Sequence, residues 1–402
     1  MAPTWVKQCF WTLAGTGAVY VLSVLALTIP VLQRNATYAH NINPAYWQNL
    51  SNVEQFGFVH HQVQPFTVRS TNNVTLHAWH ILPAHLYREH KEKLINQPDF
   101  GLKPFDEAAE AVGLRLLLDE PNAKVVVSFH GNAAHIGSSH RPATYQQLLS
   151  TSTVEQPVHV VAFDYRGFGM STGTPNEQGV IDDGIAVMSA LCGSPDRLAA
   201  TNRSPSLSHS SLQPSQIILV GQSLGTFIST ATYHEWTIRL QQAPFKALIL
   251  LASFSSLTKL LDSYSIKGFT PPLLSPLTQY PYVQNWIRQR IHDKWDTASR
   301  IKEMLTLPNM KLDLSIMHAK DDWEIPYHEG YMNWLAVEEA VNGTGTFTST
   351  HEDLFYPEFT KSWVSDDGVK MVRWDKVRHG GHNRLPTSEH LKVILYDILE
   401  RQ

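Results

Sequence analysis

Cysteine is nearly missing from the 402-residue chain, which has only Cys9 and Cys192. Cys9 lies in an apolar run and Cys192 near a loop, so no structural disulfide is expected and the redox compartment is left open. Charge is sparse too. Only 17% of residues are charged and the net charge is −4. Without a basic excess, the electrostatic footprint of a nucleic-acid binder is absent, and that class of partner is set aside. There is no internal repeat and no long low-complexity tract. Hydrophobic residues reach 43%, which excludes a disordered chain and allows one large α/β domain with extras.

The apolar content is concentrated first at the N-terminus. Between Lys7 and Arg34 lie 26 residues without a formal charge, QCFWTLAGTGAVYVLSVLALTIPVLQ. A bilayer-spanning helix needs about 20 mostly apolar residues, and signal-peptide cores are shorter, roughly 7–15. With no small-x-small cleavage site at its end, residues 9–33 are expected to form an uncleaved, single-pass signal anchor. Trp5, Trp11 and Tyr20 are candidate interfacial residues. Residues 34–55 are expected to be a membrane-proximal linker and residues 56–402 a globular catalytic domain. Lys7 and Arg34 nearly balance across the anchor, so charge does not orient it. Five sequons follow it, at Asn35, Asn49, Asn73, Asn202 and Asn342. They favour a lumenal or extracellular domain on a secretory-pathway membrane. Asn35 is too near the bilayer to be a reliable glycan site, leaving Asn49, Asn73, Asn202 and Asn342 as glycosylation candidates.

Beyond residue 56 the pattern changes. VHHQVQPFTVRS and NVTLHAWHIL, split by TNN, read as an antiparallel pair. AKVVVSFH, VHVVAFD, SQIILV, FKALILLA and LDLSIMHA are short β-branched runs, most followed by a helical stretch. Buried parallel strands read this way, and their alternation with helices predicts a mostly parallel sheet covered on both faces. Three segments interrupt it. Residues 193–214 are Ser/Pro-rich and read as a surface loop. Residues 256–300 follow the sixth expected strand and hold PPLLSPLTQYPYVQNWI, read as a cap. Residues 343–368 read as a polar insertion before the strand GVKMVRWD.

The chemistry centres on GQSLG. It has a strand before it and a helix after it, which is the setting a nucleophile elbow requires. Gly221 and Gly225 let the strand and helix approach closely, and Ser223 is raised at the sheet's C-terminal edge. A serine nucleophile needs a histidine base oriented by a carboxylate, and in such a sheet these follow in the order Ser, Asp/Glu, His. Asp321 and Asp322 lie beyond one strand, His379 and His382 beyond the last. Both pairs leave strand C-termini, where ligands bind in open α/β sheets. The oxyanion-hole N–H groups are assigned to Leu224, directly after the serine, and to Asn132, in the loop His130-Gly131-Asn132. His130, His135 and His140 are evenly spaced but match no helix face and have no carboxylate or cysteine partners nearby. Neither a metal nor any other cofactor is expected.

In order, HGNAAH, FDYRGFGMSTGTP, GQSLG, HAKDDWEIP and GGHN resemble the motifs of membrane-anchored serine hydrolases of the α/β-hydrolase fold. They are similar in particular to the lysophosphatidylserine lipase and monoacylglycerol lipase group with an N-terminal anchor. The resemblance covers about residues 56–400. It implies the triad Ser223, Asp322 and His382, because the family places its acid four residues before a proline and its base in a G-x-G-H-N motif. It also implies ester hydrolysis through an acyl-enzyme, with lysophospholipid or monoacylglycerol esters as substrates. The alternatives are a non-lipid ester such as a specialised metabolite, or an inactive hydrolase fold serving as a membrane interaction domain. Leu273, Leu274, Leu277, Tyr280, Tyr282 and Trp286 in the cap are expected either to line an acyl pocket or to pack the cap on the sheet.

Overall fold

The computed structural model describes residues 3–42, 47–99, 101–193, 212–264, 273–308, 310–349 and 359–401. The apolar runs become strands of one sheet. They are β1 (Val63–Arg69), β2 (Thr75–Ile81), β3 (Lys103–Pro104), β4 (Lys124–Phe129), β5 (Val158–Phe163), β6 (Ile217–Gln222), β7 (Ala247–Leu251), β8 (Leu312–Ala319), β9 (Thr346–Ser349), β10 (Phe359–Val364) and β11 (Lys370–Val377). Their order is β3-β1-β2-β5-β4-β6-β7-β8-β11-β10-β9. The stretch from β5 through β11 is parallel. β1 and β2 form the expected antiparallel pair, with Val63 opposite Ile81 and Arg69 opposite Thr75.

Successive strand residues point to opposite faces, and both faces here are buried. Val125, Val127 and Phe129 of β4 join one core, while Val126 joins the other. Leu248 and Leu250 of β7 separate from Ile249 and Leu251 in the same way. Each large aliphatic side chain so enclosed contributes roughly 1.5–3 kcal/mol, so a charge placed at Val126 would break the sheet from within. The helix Leu224–His234 is buried from Leu224 to Tyr233. Its small and apolar residues let it lie between the sheet and the helix Glu177–Cys192. Gly184 of that second helix has no room for a Cβ beside Thr232. The Asn176 side chain caps the Glu177 helix by accepting the Gly179 N–H at 2.9 Å.

Several segments differ from expectation. The apolar helix runs Thr4–Ala26 and is long and apolar enough to cross a membrane. It stops before Arg34 because Pro30, lacking an N–H, starts a new helix, Pro30–Tyr38. The expected linker is packed against the domain. Tyr38 is fully buried, with its hydroxyl 2.7 Å from Asp293 Oδ2, and Ala133 N donates to Tyr38 O. Leu50, Val53 and Phe56 join a core cluster. The aromatic and aliphatic content of that stretch is what commits it to burial. The residues expected as a polar insertion include β9 and β10, which extend the sheet beyond β11. The cap follows β7, since the two-residue β3 adds one strand to the count. Residues 194–211 of the Ser/Pro-rich loop, with Asn202, lie outside the described residues. Asn35, Asn49, Asn73 and Asn342 are exposed.

Candidate active site

Strand β6 ends in GQ, and Ser223 turns the chain sharply into the next helix with φ 53° and ψ −121°. This conformation is strained for a residue with a Cβ, and the surroundings enforce it. Ser223 N donates to Leu251 O of β7 at 3.0 Å. Ser223 O accepts from Thr226 N and from Thr226 Oγ1. The two flanking glycines have no alternative. A Cβ on Gly221 would strike the Gly225 carbonyl and Ser229 Oγ, and one on Gly225 would strike the Phe129 carbonyl. Leu224 opens the helix, so its N–H is one of the four without an intrahelical acceptor.

The candidate base and its candidate orienting acid are joined. His382 Nδ1 lies 2.8 Å from Asp322 Oδ2. The other oxygen, Oδ1, accepts the N–H groups of Glu324 and Ile325, each at 2.9 Å, and His318 Nε2 stands 3.4 Å from Oδ2. Burial alone would raise the Asp322 pKa, but the hydrogen bonds and charges of His318 and His382 outweigh it and hold the carboxyl well below its ordinary value. Burial would likewise lower the pKa of His382. The Asp322 hydrogen bond and charge, helped by Glu324, leave it raised instead.

The other candidate pair takes a different role. The Asp321 carboxylate accepts the Gly381 N–H at 2.7 Å and lies 3.5 Å from the exposed His379 ring. Among the described residues no hydrogen bond joins Ser223 Oγ to the His382 ring, and catalytic contacts of this kind tighten when substrate binds. Gln222 couples the two loops meanwhile. Its Nε2 donates to His382 O at 3.0 Å, and its Oε1 pairs with His140 Nε2 at 2.8 Å.

The loop after β4 lies against Ser223, since a Cβ on Gly131 would be only 3.4 Å from Ser223 Cβ. Arg141, buried, gathers this loop's carbonyls. Its Nη2 donates to the oxygens of Gly131, Asn132 and Ala133 at 3.0–3.1 Å, and its Nη1 donates to His135 O at 2.7 Å. In a planar trans peptide the N–H points opposite to the C=O. With the Gly131 carbonyl drawn to Arg141, the Asn132 N–H is turned the other way. His130 supports the same loop from below. Its Nε2 is 3.4 Å from buried Asp164, and its carbonyl accepts the Tyr165 hydroxyl. Among the described residues no group of three His, Cys, Asp or Glu is gathered that could hold a metal. His130, His135 and His140 go separate ways, to Asp164, to the Gly137 N–H and to Gln222.

A family model described as "Alpha/beta hydrolase family" matches residues 125–390. The chain belongs to the alpha/beta hydrolase family. The lysophosphatidylserine lipase ABHD12 of Xenopus tropicalis is 24% identical over 365 residues, which is 88% of this chain and 78% of that protein. Its Gallus gallus counterpart is 25% identical over 350 residues, 85% of this chain and 76% of that protein. Among solved structures, an alpha-beta hydrolase from Vibrio vulnificus superposes with a TM-score of 0.54 at 14% identity, covering 91% of each chain. That likeness speaks for the fold alone.

Sequence reasoning missed Arg141 and Gln222. Arg141 sits in SSHRPA, and nothing in its spacing distinguishes it from a surface arginine. Gln222 is the variable second position of the elbow motif. Its place directly before the nucleophile was the available signal. The cap residues expected either to line an acyl pocket or to pack the cap differ in their surroundings. Leu274 is buried against Val24 of the N-terminal helix, and Tyr280, Tyr282 and Trp286 face outward.

Proposed function

We propose that this chain is a membrane-tethered serine hydrolase that cleaves carboxylic esters through an acyl-enzyme, with lysophospholipid or monoacylglycerol acyl esters as its substrates. The observation that carries the reading is the 2.8 Å contact between His382 Nδ1 and Asp322 Oδ2, in a sheet that also strains Ser223 into an elbow. His382 Nε2 takes the Ser223 proton as Oγ attacks the ester carbonyl, and Asp322 holds the tautomer and stabilises the imidazolium. The N–H groups of Leu224 and Asn132 receive the oxyanion. One such donor is worth roughly 2.7–4 kcal/mol in the transition state. The proton then passes to the leaving alcohol, and water releases the acid in a second round.

The lipid side of the reading is supported by the apolar helix Thr4–Ala26 and by relatives that are themselves named lysophosphatidylserine lipases. The five sequons support a catalytic domain on the lumenal or extracellular side. The test is labelling by a fluorophosphonate, which is expected in the wild-type chain and lost in Ser223→Ala. A panel of esters of one alcohol with increasing acyl length follows. Each buried methylene adds about 0.8 kcal/mol of binding, so kcat/KM should climb steeply before a plateau. Labelling that survives Ser223→Ala would sink the mechanism. Equal efficiency on acetyl and long-chain esters would remove the lipid substrate.

A further inference from the structure

The loop Asp322-Trp323-Glu324-Ile325-Pro326 carries two carboxylates, and they flank opposite nitrogens of one imidazole. Asp322 meets His382 Nδ1 at 2.8 Å, and Glu324 Oε2 stands 3.9 Å from His382 Nε2. The turn that places Glu324 there is built by Asp322 itself, whose Oδ1 accepts the Glu324 N–H. Glu324 is one-third exposed, so its charge is partly withdrawn from water beside a ring that is almost wholly enclosed. A triad needs only the first carboxylate. The second sits beside the nitrogen that must exchange a proton with Ser223 and with the leaving group.

We propose that Glu324 is a positioning residue acting through His382, and that its carboxylate favours esters whose leaving group carries no negative charge close to the scissile bond. The inference rests on the triad reading above. During acylation the Oγ–carbonyl bond forms and the ester C–O bond breaks, while the Ser223 proton moves to Nε2 and on to the leaving oxygen. That oxygen must therefore come within about 3 Å of Nε2, which brings the leaving group into the field of Glu324. A negative charge there is repelled, and a neutral or cationic group is not.

The same carboxylate stabilises the imidazolium, so the resting base is stronger than Asp322 alone would make it. The other titratable groups facing His382 are Asp322, His318 behind it and His140 across Gln222. Burial opposes a charge on His382, and Asp322 supports it independently of Glu324.

The experiment compares three soluble esters of one acyl chain, with choline, glycerol and glycolate as the leaving alcohols, on the full chain in detergent. In the wild type the choline and glycerol esters should exceed the glycolate ester. In Glu324→Gln that preference should shrink about tenfold, and the acidic limb of kcat/KM should move to lower pH by about one unit. Glu324→Asp keeps the charge and should retain the preference in part. Fluorophosphonate stoichiometry reports whether each variant is folded. If Glu324→Gln fails to fold, the wild-type preference is read from low salt to roughly 0.5 M, over which a charge effect must fade. An unchanged limb and preference in Glu324→Gln, a uniform loss of kcat across all three esters, or a preference insensitive to salt would overturn the proposal. Loss of the triad reading would show separately, as labelling that persists in Ser223→Ala.

Discussion

The carboxylate of Asp321 accepts the backbone N–H of Gly381 at 2.7 Å, one residue before the histidine that its neighbour Asp322 orients. Adjacent aspartates thus hold one loop in two ways. Asp321 fixes its backbone, and Asp322 fixes the ring it carries.

That division sets the first expectation. Asp322→Asn should lower kcat by about 10⁴, since an amide on Nδ1 favours the wrong tautomer. Asp321→Asn retains an acceptor for Gly381 and should stay near wild type. Asp321→Ala loses one hydrogen bond, worth about 0.5–1.5 kcal/mol, and should slow turnover several-fold through a looser loop. Steady-state kinetics on purified proteins decides it. If Asp321→Asn proves the more damaging substitution, the assignment of acid and anchor must be exchanged.

Arg141 supports a second expectation. Lysine keeps the charge but has no planar fork to serve several carbonyls at once. Arg141→Lys should therefore let the His130–Ala133 loop relax and misdirect the Asn132 N–H, with kcat down about 10²–10³ and KM little changed. Fluorophosphonate labelling should be slower yet reach full stoichiometry. A variant with wild-type kcat would show that Arg141 merely fills space.

The sheet was legible because a buried parallel strand leaves a strong signature, a β-branched run ended by glycine or a polar residue, as in VVVSFHGN and IILVGQSLG. The candidate triad could be picked out because Ser223, Asp322 and His382 each follow the end of a strand. Arg141, Gln222 and Glu324 were not. Their roles depend on which carbonyl or ring nitrogen lies 3–4 Å away across the fold, and no local pattern records that. Residues 34–55 misled for a related reason. Asn and Gln make the stretch read as a linker, yet Tyr38, Leu50 and Val53 supply enough apolar surface to dock it. β9 is the edge strand and β10 lies next to it, both partly in solvent, so the alternation that betrays a half-buried strand is weak there.

A third expectation concerns acid stability. His80 Nε2 and His159 Nδ1 lie 2.9 Å apart in the interior, their rings stacked. Burial takes the His80 pKa down to about 3 and holds that of His159 well below its ordinary value, with the His80 and His85 charges adding to the lowering of His159. Both rings are neutral when folded and free to protonate when unfolded. The unfolded state then binds more protons at any pH below about 6.5, and stability must fall as pH drops through that value. His159→Gln removes one titrating ring and should flatten the fall between neutral pH and about pH 5, measured as Tm against pH. An unaltered slope would mean that other groups govern acid unfolding.

The last expectation joins the N-terminal helix to the cap. Tyr20 donates its hydroxyl to Leu273 O at 3.0 Å, Val24 packs with Leu274 and Ile287, and Gln33 bonds to Arg290 O and to the His292 N–H. A 23-residue helix is about 34 Å long at 1.5 Å per residue, close to the roughly 30 Å of a bilayer core. Tyr20 and Val24 lie within about 9 Å of its C-terminal end. If that helix spans the bilayer, whatever packs on those two residues lies at the lipid–water boundary. The cap helix Pro281–Gln289 buries Gln284 and Ile287 and leaves Tyr282 90%, Tyr280 61% and Trp286 41% exposed, with the Arg290 guanidinium 3.8 Å from the Trp286 ring centre. Aromatic rings beside a cation suit the headgroup layer. The double substitution Tyr282→Ser and Trp286→Ser should raise KM about tenfold for an ester presented in vesicles and leave KM for a water-soluble ester unchanged. A fluorophore on Tyr282→Cys should shift to the blue in vesicles and be quenched by labelled lipid. Equal loss on both esters would mean that the cap is held by the protein alone, and an unquenched probe would lift it off the membrane.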